Sequence, residues 1–274
     1  MKKTALSILG VCAAALAGYA LVENHLLLRT AYNPLSTAET GFRVPRMVMV
    51  SDVHKRQFGK GQHRLIAAVA KARPEYIILT GDLISRNVTD FADTEALLRG
   101  LADIAPMLMV WGNHELDCSE TQRDALRNLL QTYHVRLLEN EIIQLGDVHF
   151  AGLTLERANY RNGSGFRHLK RCTTEEVQAL LGPCPQHTIL LAHNPLYAET
   201  YAAWGADVVL SGHVHGGIVR LPLVGGLLSP ERKFFPAFAK GRYNLGNTIL
   251  IVSGGLGKFR LWNPAEIRCI FPLN

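Results

Sequence analysis

The stretch Ser211-Gly212-His213-Val214-His215-Gly216-Gly217 follows the apolar run 206–210. Two histidines at i and i+2, just past a predicted strand and bounded by glycines, form a chelating device, because the glycines permit a tight turn while both rings stay near one point. Taken alone, the pair reads equally well as two solvated turn histidines. Four other apolar runs end the same way. Met47-Val48-Met49-Val50 leads to Asp52 and His54, Tyr76-Ile77-Ile78-Leu79 to Gly81-Asp82, Met107-Leu108-Met109-Val110 to Gly112-Asn113-His114-Glu115, and Thr188-Ile189-Leu190-Leu191 to His193. One ordered set at five strand ends is not what structural residues alone produce. Carboxylates, imidazoles and one amide are hard oxygen donors with borderline nitrogen, which suits Mn, Fe or Zn, and the absence of CxxC spacing disfavours a structural thiolate zinc site.

The elements that must position these residues read as an α/β chain. Helical spacing over 62–73, closed by Pro74, separates the first two strands and predicts a βαβ unit with parallel strands. Helices over 90–102 and 119–131 continue the pattern. Over 135–153 the runs shorten to 135–138, 142–145 and 148–151, predicting antiparallel strands with tight turns. A polar surface loop follows at 156–171, then a helix at 174–181 and a short segment at 197–205. Residues 216–247, rich in Gly and Pro, read as an irregular loop with one hairpin, and 248–252 and 267–271 as closing strands. In such an architecture the carboxyl ends of neighbouring strands open on one crevice, so ligands distant in sequence can converge there. Lys55 and Arg56 are placed either to touch phosphate or simply to be solvated, and His63, His134, His149 and His168 belong to no pattern.

At 274 residues, 48% hydrophobic and 19% charged, the chain is long enough for one large core. A formal charge of +6, carried by scattered Lys and Arg and short pairs such as Arg232-Lys233, lacks the stripe of a nucleic-acid binder. Residues 1–24 are distinct: Lys2 and Lys3 precede an uncharged run from Thr4 to Val22, close to a bilayer-spanning length. A membrane anchor is the favoured reading; a signal peptide cleaved after Ala15-Leu16-Ala17 and lipid attachment at Cys12 are the rivals. Residues 25–45 read as a linker and 46–274 as the functional domain. Lys2 and Lys3 on one flank and Arg29, Arg43 and Arg46 on the other leave sidedness open, and Cys172 with Cys184 could close a loop in an oxidising compartment.

The set Asp52-x-His54, Gly81-Asp82, Gly112-Asn113-His114-Glu115, His193 and Gly212-His213-x-His215, in that order, closely resembles the calcineurin-like metallophosphoesterases over residues 47 to about 271. Ser253-Gly254-Gly255-Leu256-Gly257 with Asn263-Pro264-x-Glu266-Ile267 is similar to the membrane-associated bacterial branch of that family. The resemblance implies a four-layer αββα sandwich with two mixed β-sheets, the metal site at the strand carboxyl ends. It implies two divalent metal ions (Mn, Zn or Fe), one held by Asp52, His54, Asp82 and His215, the other by Asp82, Asn113, His193 and His213, with Asp82 bridging. His114 is then the residue that assists the departing oxygen, and Glu115, where the family more often has aspartate, is expected to fix its tautomer.

The activity implied is hydrolysis of a phosphodiester or pyrophosphate bond by metal-activated hydroxide. The apolar N-terminus points to a lipid-linked substrate such as UDP-2,3-diacylglucosamine and to the bacterial inner membrane, with the apolar side chains Leu227, Leu228, Phe234, Phe235 and Phe238 lining a groove beside the metals, lying on the bilayer or packing in the core. A phosphodiesterase or phosphomonoesterase acting on small soluble substrates is the alternative. A non-catalytic metal-binding scaffold is the reading from another class, disfavoured because every ligand position is filled. No nucleic-acid partner is expected, and the oligomeric state is open.

Overall fold

The structure is a computed structural model; it describes residues 2–162, 165–166, 168–217, 219–221, 224–228, 234–257 and 260–273, with side chains from residue 8 onward. The side chains of Lys2 and Lys3 and the pair Arg232-Lys233 lie outside the described residues. The elements run α1 (Lys2–His25), β1 (Leu28–Ser36), α2 (Thr37–Thr40), β2 (Met47–Val50), α3 (His63–Lys71), β3 (Tyr76–Leu79), α4 (Ala92–Ala102), β4 (Met107–Met109), α5 (Asn113–Leu116), α6 (Glu120–Thr132) and β5 (Val135–Leu137). They continue through β6 (Glu141–Leu145), β7 (Val148–Leu153), α7 (Thr174–Leu181), β8 (Thr188–Ala192), α8 (Ala198–Trp204), β9 (Val208–Ser211), β10 (Arg220–Leu221), β11 (Gly225–Gly226), β12 (Gly241–Leu245), β13 (Thr248–Val252) and β14 (Ala265–Leu273).

Two mixed six-stranded sheets, ordered β1-β14-β2-β3-β4-β5 and β12-β13-β9-β8-β7-β6, pack face to face between layers of helices. The central strands β2, β3, β8, β9 and β13 read as continuous apolar runs because both of their faces are covered. Met47, Met49, Ile78, Leu108, Val110, Leu191 and Leu210 fill the space between the sheets. Val48, Val50, Ile77 and Leu79 turn outward beneath Leu65, Val69, Leu97, Leu98 and Leu126 of α3, α4 and α6. On the far side Leu190, Val209 and Leu250 meet Val177 of α7 and Tyr201 of α8. Two helices start where Ser119-x-x-Gln122 and Thr173-x-x-Glu176 form capping boxes.

Three features differ from the sequence expectations. Residues 28–36, read as linker, form strand β1, parallel to β14 along nine residues; buried Asn33 accepts a hydrogen bond from Arg268, so a polar residue that looks loop-like serves a sheet. Residues 135–151 do not form one antiparallel set. β5 pairs parallel with β4 in the first sheet, whereas β6 and β7 are an antiparallel hairpin in the second. The chain changes sheets at Leu138, which is fully buried between them, and Asn140, which takes a left-handed turn. Cys172 and Cys184 are free thiols.

α1 is long and apolar enough to cross a membrane over Ile8–His25, a span only 6% buried, although a signal sequence satisfies the same criterion. Its end is tied to the sandwich by polar contacts. Buried Glu23 accepts from the Trp262 amide, Asn24 Nδ2 donates to the Arg260 carbonyl, and Arg56 donates to the carbonyls of Glu23, Leu256 and Gly257. Arg56 is therefore 2% exposed and spent on backbone carbonyls, which removes it from the candidates for phosphate contact.

Candidate metal centre

Strands β2, β3 and β4 of one sheet and β8 and β9 of the other end at the same rim, and each delivers a ligand-type side chain within a few residues of its last hydrogen-bonded position. The chain must turn sharply there. Asp52, His54, Asp82, His213 and His215 all have φ between 53° and 68°, in the left-handed region that side-chain-bearing residues avoid. Each such residue costs of order 1–3 kcal/mol, and a cluster of them marks a site held in shape by its surroundings. Two glycines make the turns fit: a Cβ on Gly112 would collide with Asp82, and one on Gly212 with Ser51.

Asp82 lies at the centre. Its Oδ2 is 3.4 Å from His193 Nε2, 3.8 Å from His54 Nε2 and 4.0 Å from His114 Nε2, while its Oδ1 accepts from the His114 amide at 2.7 Å. Asp52 Oδ1 lies 3.8 Å from His215 Nε2 and accepts from the His213 amide at 3.1 Å; its Oδ2 accepts from Ser51 Oγ. His54 and His215 face each other with Nε2 atoms 3.5 Å apart. Asn113 Oδ1 is 3.3 Å from His193 Nε2, and the His213 ring lies edge-on to His193 with centroids 5.1 Å apart. The residues thus divide into an Asp52–His54–His215 side and an Asn113–His193–His213 side around Asp82. Asp52, Asp82 and His193 are buried, whereas His54, His114 and His215 retain 14%, 21% and 19% exposure and form the open face.

Burial opposes ionisation of Asp82, but the His193, His114 and His54 imidazoles outweigh it and hold the carboxyl well below its usual range. Burial also works against a charge on His193, and Asp82 reverses that, lifting the imidazole to about 9. His114 goes the other way: desolvation pulls it down to about 4, leaving it neutral near pH 7. Glu115 is pushed up to about 7, first by burial and then by the Asp82 carboxylate.

Overlapping triads Asp52–His54–His215, His54–Asp82–His114 and Asp52–Asp82–His193 each bring ligand atoms within 4.8 Å of one another. Buried carboxylate oxygens, an amide oxygen and imidazole nitrogens converging on two adjoining positions are the donor set of a binuclear divalent-metal site. Residues 45–217 match the calcineurin-like phosphoesterase family. The chain belongs to this family. An uncharacterised metallophosphoesterase of Campylobacter jejuni is 29% identical over 81% of the chain, a match spanning 57% of that relative's length. Another from Bacillus subtilis, YkuE, is 26% identical over 89% of the chain and 84% of its own length. A UDP-2,3-diacylglucosamine pyrophosphatase of Chlamydia muridarum is 24% identical over 82% of the chain and 84% of its own length. With the fold and the triads, this makes the protein a metal-dependent hydrolase of the calcineurin-like superfamily.

Glu115 is brought to the site, but not to the His114 ring. Its carboxylate accepts from the amides of Asp82, Ile84 and Gly112 at 2.8, 3.1 and 2.9 Å, locking the β3 and β4 loops together beneath the metal positions. Position i+1 on the α5 turn points it inward while His114 faces out. Arg86 brackets the His114 ring instead, its backbone amide 3.2 Å from Nδ1 and its guanidinium 2.9 Å from Nε2. Arg86 was not legible as a site residue, and neither were Asp117, Arg157, Tyr160 and Arg161. They sit in loops without periodicity, and only their closeness in space to α5 identifies them. His63, His134, His149 and His168 belong to none of the donor triads among the described residues.

Proposed function

We propose that the protein is a membrane-associated phosphoesterase that cleaves a phosphodiester or pyrophosphate bond in a lipid-linked substrate, with Asp52, His54, Asp82 and His215 holding one divalent cation and Asp82, Asn113, His193 and His213 the other. The observation that carries the reading is the central position of Asp82, a buried carboxylate facing His54, His114 and His193 at once. When bound, the two cations supply Lewis acidity and a water of lowered pKa. The chain's own groups do the rest. Asp82 offsets the repulsion of two cations at close range. Asn113 adds a donor oxygen without adding charge, which keeps the centre electrophilic. His114 Nε2 lies on the partly exposed face beside the Arg86 guanidinium, and together these groups stabilise the charge developing on the departing oxygen.

Support for the lipid-linked substrate comes from three directions. α1 has the length and composition of an anchor, its end is bonded through Arg56 and Asn24 to Leu256, Gly257 and Arg260, with Gly257 beside His54 and His215, and the chlamydial relative bears the name of an enzyme of that class. Phe234 and Phe235, 68% and 60% exposed, are apolar groups placed to meet acyl chains or bilayer; Phe238 instead packs edge-on to Tyr243. The decisive experiment compares hydrolysis by the full, Mn2+- or Zn2+-loaded chain of UDP-2,3-diacylglucosamine, aryl phosphodiesters, aryl phosphomonoesters and nucleotides, with and without vesicles. Clear preference for the acylated nucleotide is expected. Equal rates across the panel would mean a phosphoesterase of small soluble substrates, and recovery of the chain entirely in the soluble fraction would remove the anchor.

A further inference from the structure

One carboxylate beside the metal centre faces three guanidiniums. The Asp117 side chain is 1% exposed; its Oδ1 lies 2.8 Å from Arg157 Nε and 3.0 and 2.7 Å from Nε and a terminal nitrogen of Arg161, while its Oδ2 lies 3.3 Å from Arg86 without a hydrogen bond. Among the described residues no second carboxylate pairs with these arginines. A carboxylate has geometry for one bidentate fork, so three guanidiniums gathered on it leave a surplus of positive charge that a further anion would offset. The side chains of Arg86, Arg157 and Arg161 remain 38%, 62% and 30% exposed, so an incoming anion can reach them.

The cluster is fastened to the catalytic machinery at two points. Asp117 caps α5, its amide donating to the Asn113 carbonyl at 3.1 Å, so the same turn carries Asn113, His114, Glu115 and the residue that gathers the arginines. Between Arg157 and Arg161, the buried Tyr160 ring packs against His213 and His193 with centroids 5.2 and 6.0 Å away, and its hydroxyl has no hydrogen-bond partner among the described residues. The guanidinium of Arg86 also lies 2.9 Å from His114 Nε2. That nitrogen bears the ring's proton when Nδ1 accepts from the Arg86 amide, so the two groups present donors to each other. An anionic oxygen to one side of the pair, accepting from both, would satisfy them.

We propose that Arg86, Arg157 and Arg161, gathered by Asp117, form a subsite for a second, non-scissile phosphoryl group, so that the preferred substrate carries two adjacent phosphoryl groups, as a pyrophosphate does. This rests on the phosphoesterase reading and narrows its substrate class. Planar guanidinium forks match phosphoryl oxygens in pairs, and a group joined through one bridging oxygen to the scissile phosphorus falls next to His114, where Arg86 reaches.

The test separates binding from turnover. Calorimetric titration of the Mn2+-loaded chain with methylenediphosphonate and with methylphosphonate should show tighter binding of the former by at least about tenfold, because charge-assisted hydrogen bonds to a second phosphoryl group are added. Arg157→Ala, at the most exposed of the three, and Arg161→Lys, which keeps the charge but not the fork, should each erode that preference, and Arg157→Glu should erode it further; thermal melts report whether each variant is folded. Undiminished preference in the folded variants overturns the subsite, as does equal weakening of both probes. In parallel, the ratio of kcat/KM for UDP-glucose to that for bis(4-nitrophenyl) phosphate should fall at least about tenfold in Arg157→Glu. A wild-type chain that hydrolyses neither ester yet discriminates between the phosphonates would refute the phosphoesterase reading while leaving the subsite standing.

Discussion

The backbone amide of Arg86 donates to Nδ1 of His114 at 3.2 Å, while the guanidinium of the same residue lies 2.9 Å from Nε2. Because the amide donor is backbone, no side-chain substitution at position 86 removes it. The His114 ring is the most exposed imidazole of the site, and its Nε2 lies 4.0 Å from Asp82 Oδ2, farther than that of His54 or His193. His114→Ala should therefore leave metal content near two equivalents while lowering kcat by about 10²–10³-fold, the usual cost of one charge-stabilising donor. Metal analysis by mass spectrometry alongside turnover checks this. Loss of both metals in the variant would make His114 a ligand instead.

Asp82→Asn should disturb both metal positions together. The carboxylate faces His54 on one side and His193 on the other, and an amide cannot offset the repulsion of two cations. The expected result is fewer than about one equivalent of bound metal and loss of activity. Retention of two tightly bound metals with full turnover would sink the bridging role.

Removal of the metals should lower stability as well as activity. Five of the converging residues hold left-handed backbone conformations, and two buried carboxylates face one another's neighbourhood, so a cation bound only by the folded chain stabilises it through mass action. At a free metal concentration of about 100 times Kd the gain is about 2.7 kcal/mol per site. Scanning calorimetry in EDTA, then after adding excess Mn2+ or Zn2+, should show a reversible fall and recovery of Tm; a Tm indifferent to both would rule out tight binding at these residues.

Much of the fold was legible because buried parallel strands write themselves as apolar runs such as Met47–Val50 and Tyr76–Leu79, and their ends carry the ligands within a few residues. The turn Gly212-His213-Val214-His215 also brings both of its rings to the site, His215 facing His54 and His213 edge-on to His193. Strand β1 was not legible: Arg29, Asn33 and Pro34 interrupt its apolar pattern, and only pairing with β14 across the whole chain makes it a strand. The role of Glu115 was misread for a similar reason, because adjacency to His114 in sequence says nothing of which way a helical turn points each side chain. Arg56 looked like a surface cation, yet the carbonyls it satisfies come from residues 23, 27, 256 and 257. Such long-range polar contacts leave no local pattern.

Glu115→Gln should be more damaging than its isosteric shape suggests. The native carboxylate accepts three backbone amides. A glutamine offers one oxygen and turns an NH2 toward at least one of those donors, leaving a buried amide unsatisfied at a cost of about 1–3 kcal/mol. The β3 and β4 loops then lose their tie, so metal affinity should fall together with Tm. Chemical denaturation and a metal titration measure the two effects. A variant with unchanged denaturation midpoint and unchanged metal affinity would show that the Asp82 loop holds itself.

The buried ion group on β14 gives stability a pH dependence distinct from that of the metal centre. Glu266 Oε2 lies 2.6 Å from Lys240 Nζ, its Oε1 lies 2.8 Å from Arg268, and Oε1 also accepts from the Gly254 amide, which steadies the loop carrying Gly255 against Asp52. Burial opposes ionisation, but Arg268 and Lys240 outweigh it and hold the Glu266 carboxyl below its ordinary value of 4.5. With the folded-state value depressed, the unfolded chain binds the proton more readily, so the contribution is complete above the ordinary carboxylate range and is lost as pH falls through the folded-state value. Removing one partner of a buried pair costs about 3–5 kcal/mol. Glu266→Gln should therefore lower stability by that order at pH 7, and the gap from wild type should close in acid, below the ordinary value. On the alkaline side the gap should narrow again. Burial already pulls Lys240 below its ordinary value despite Glu266, so without that partner the amine loses its proton at lower pH and its penalty is relieved. Denaturation of both proteins across the pH range checks the shape; a gap that stays constant into acid would mean Glu266 acts through packing rather than charge.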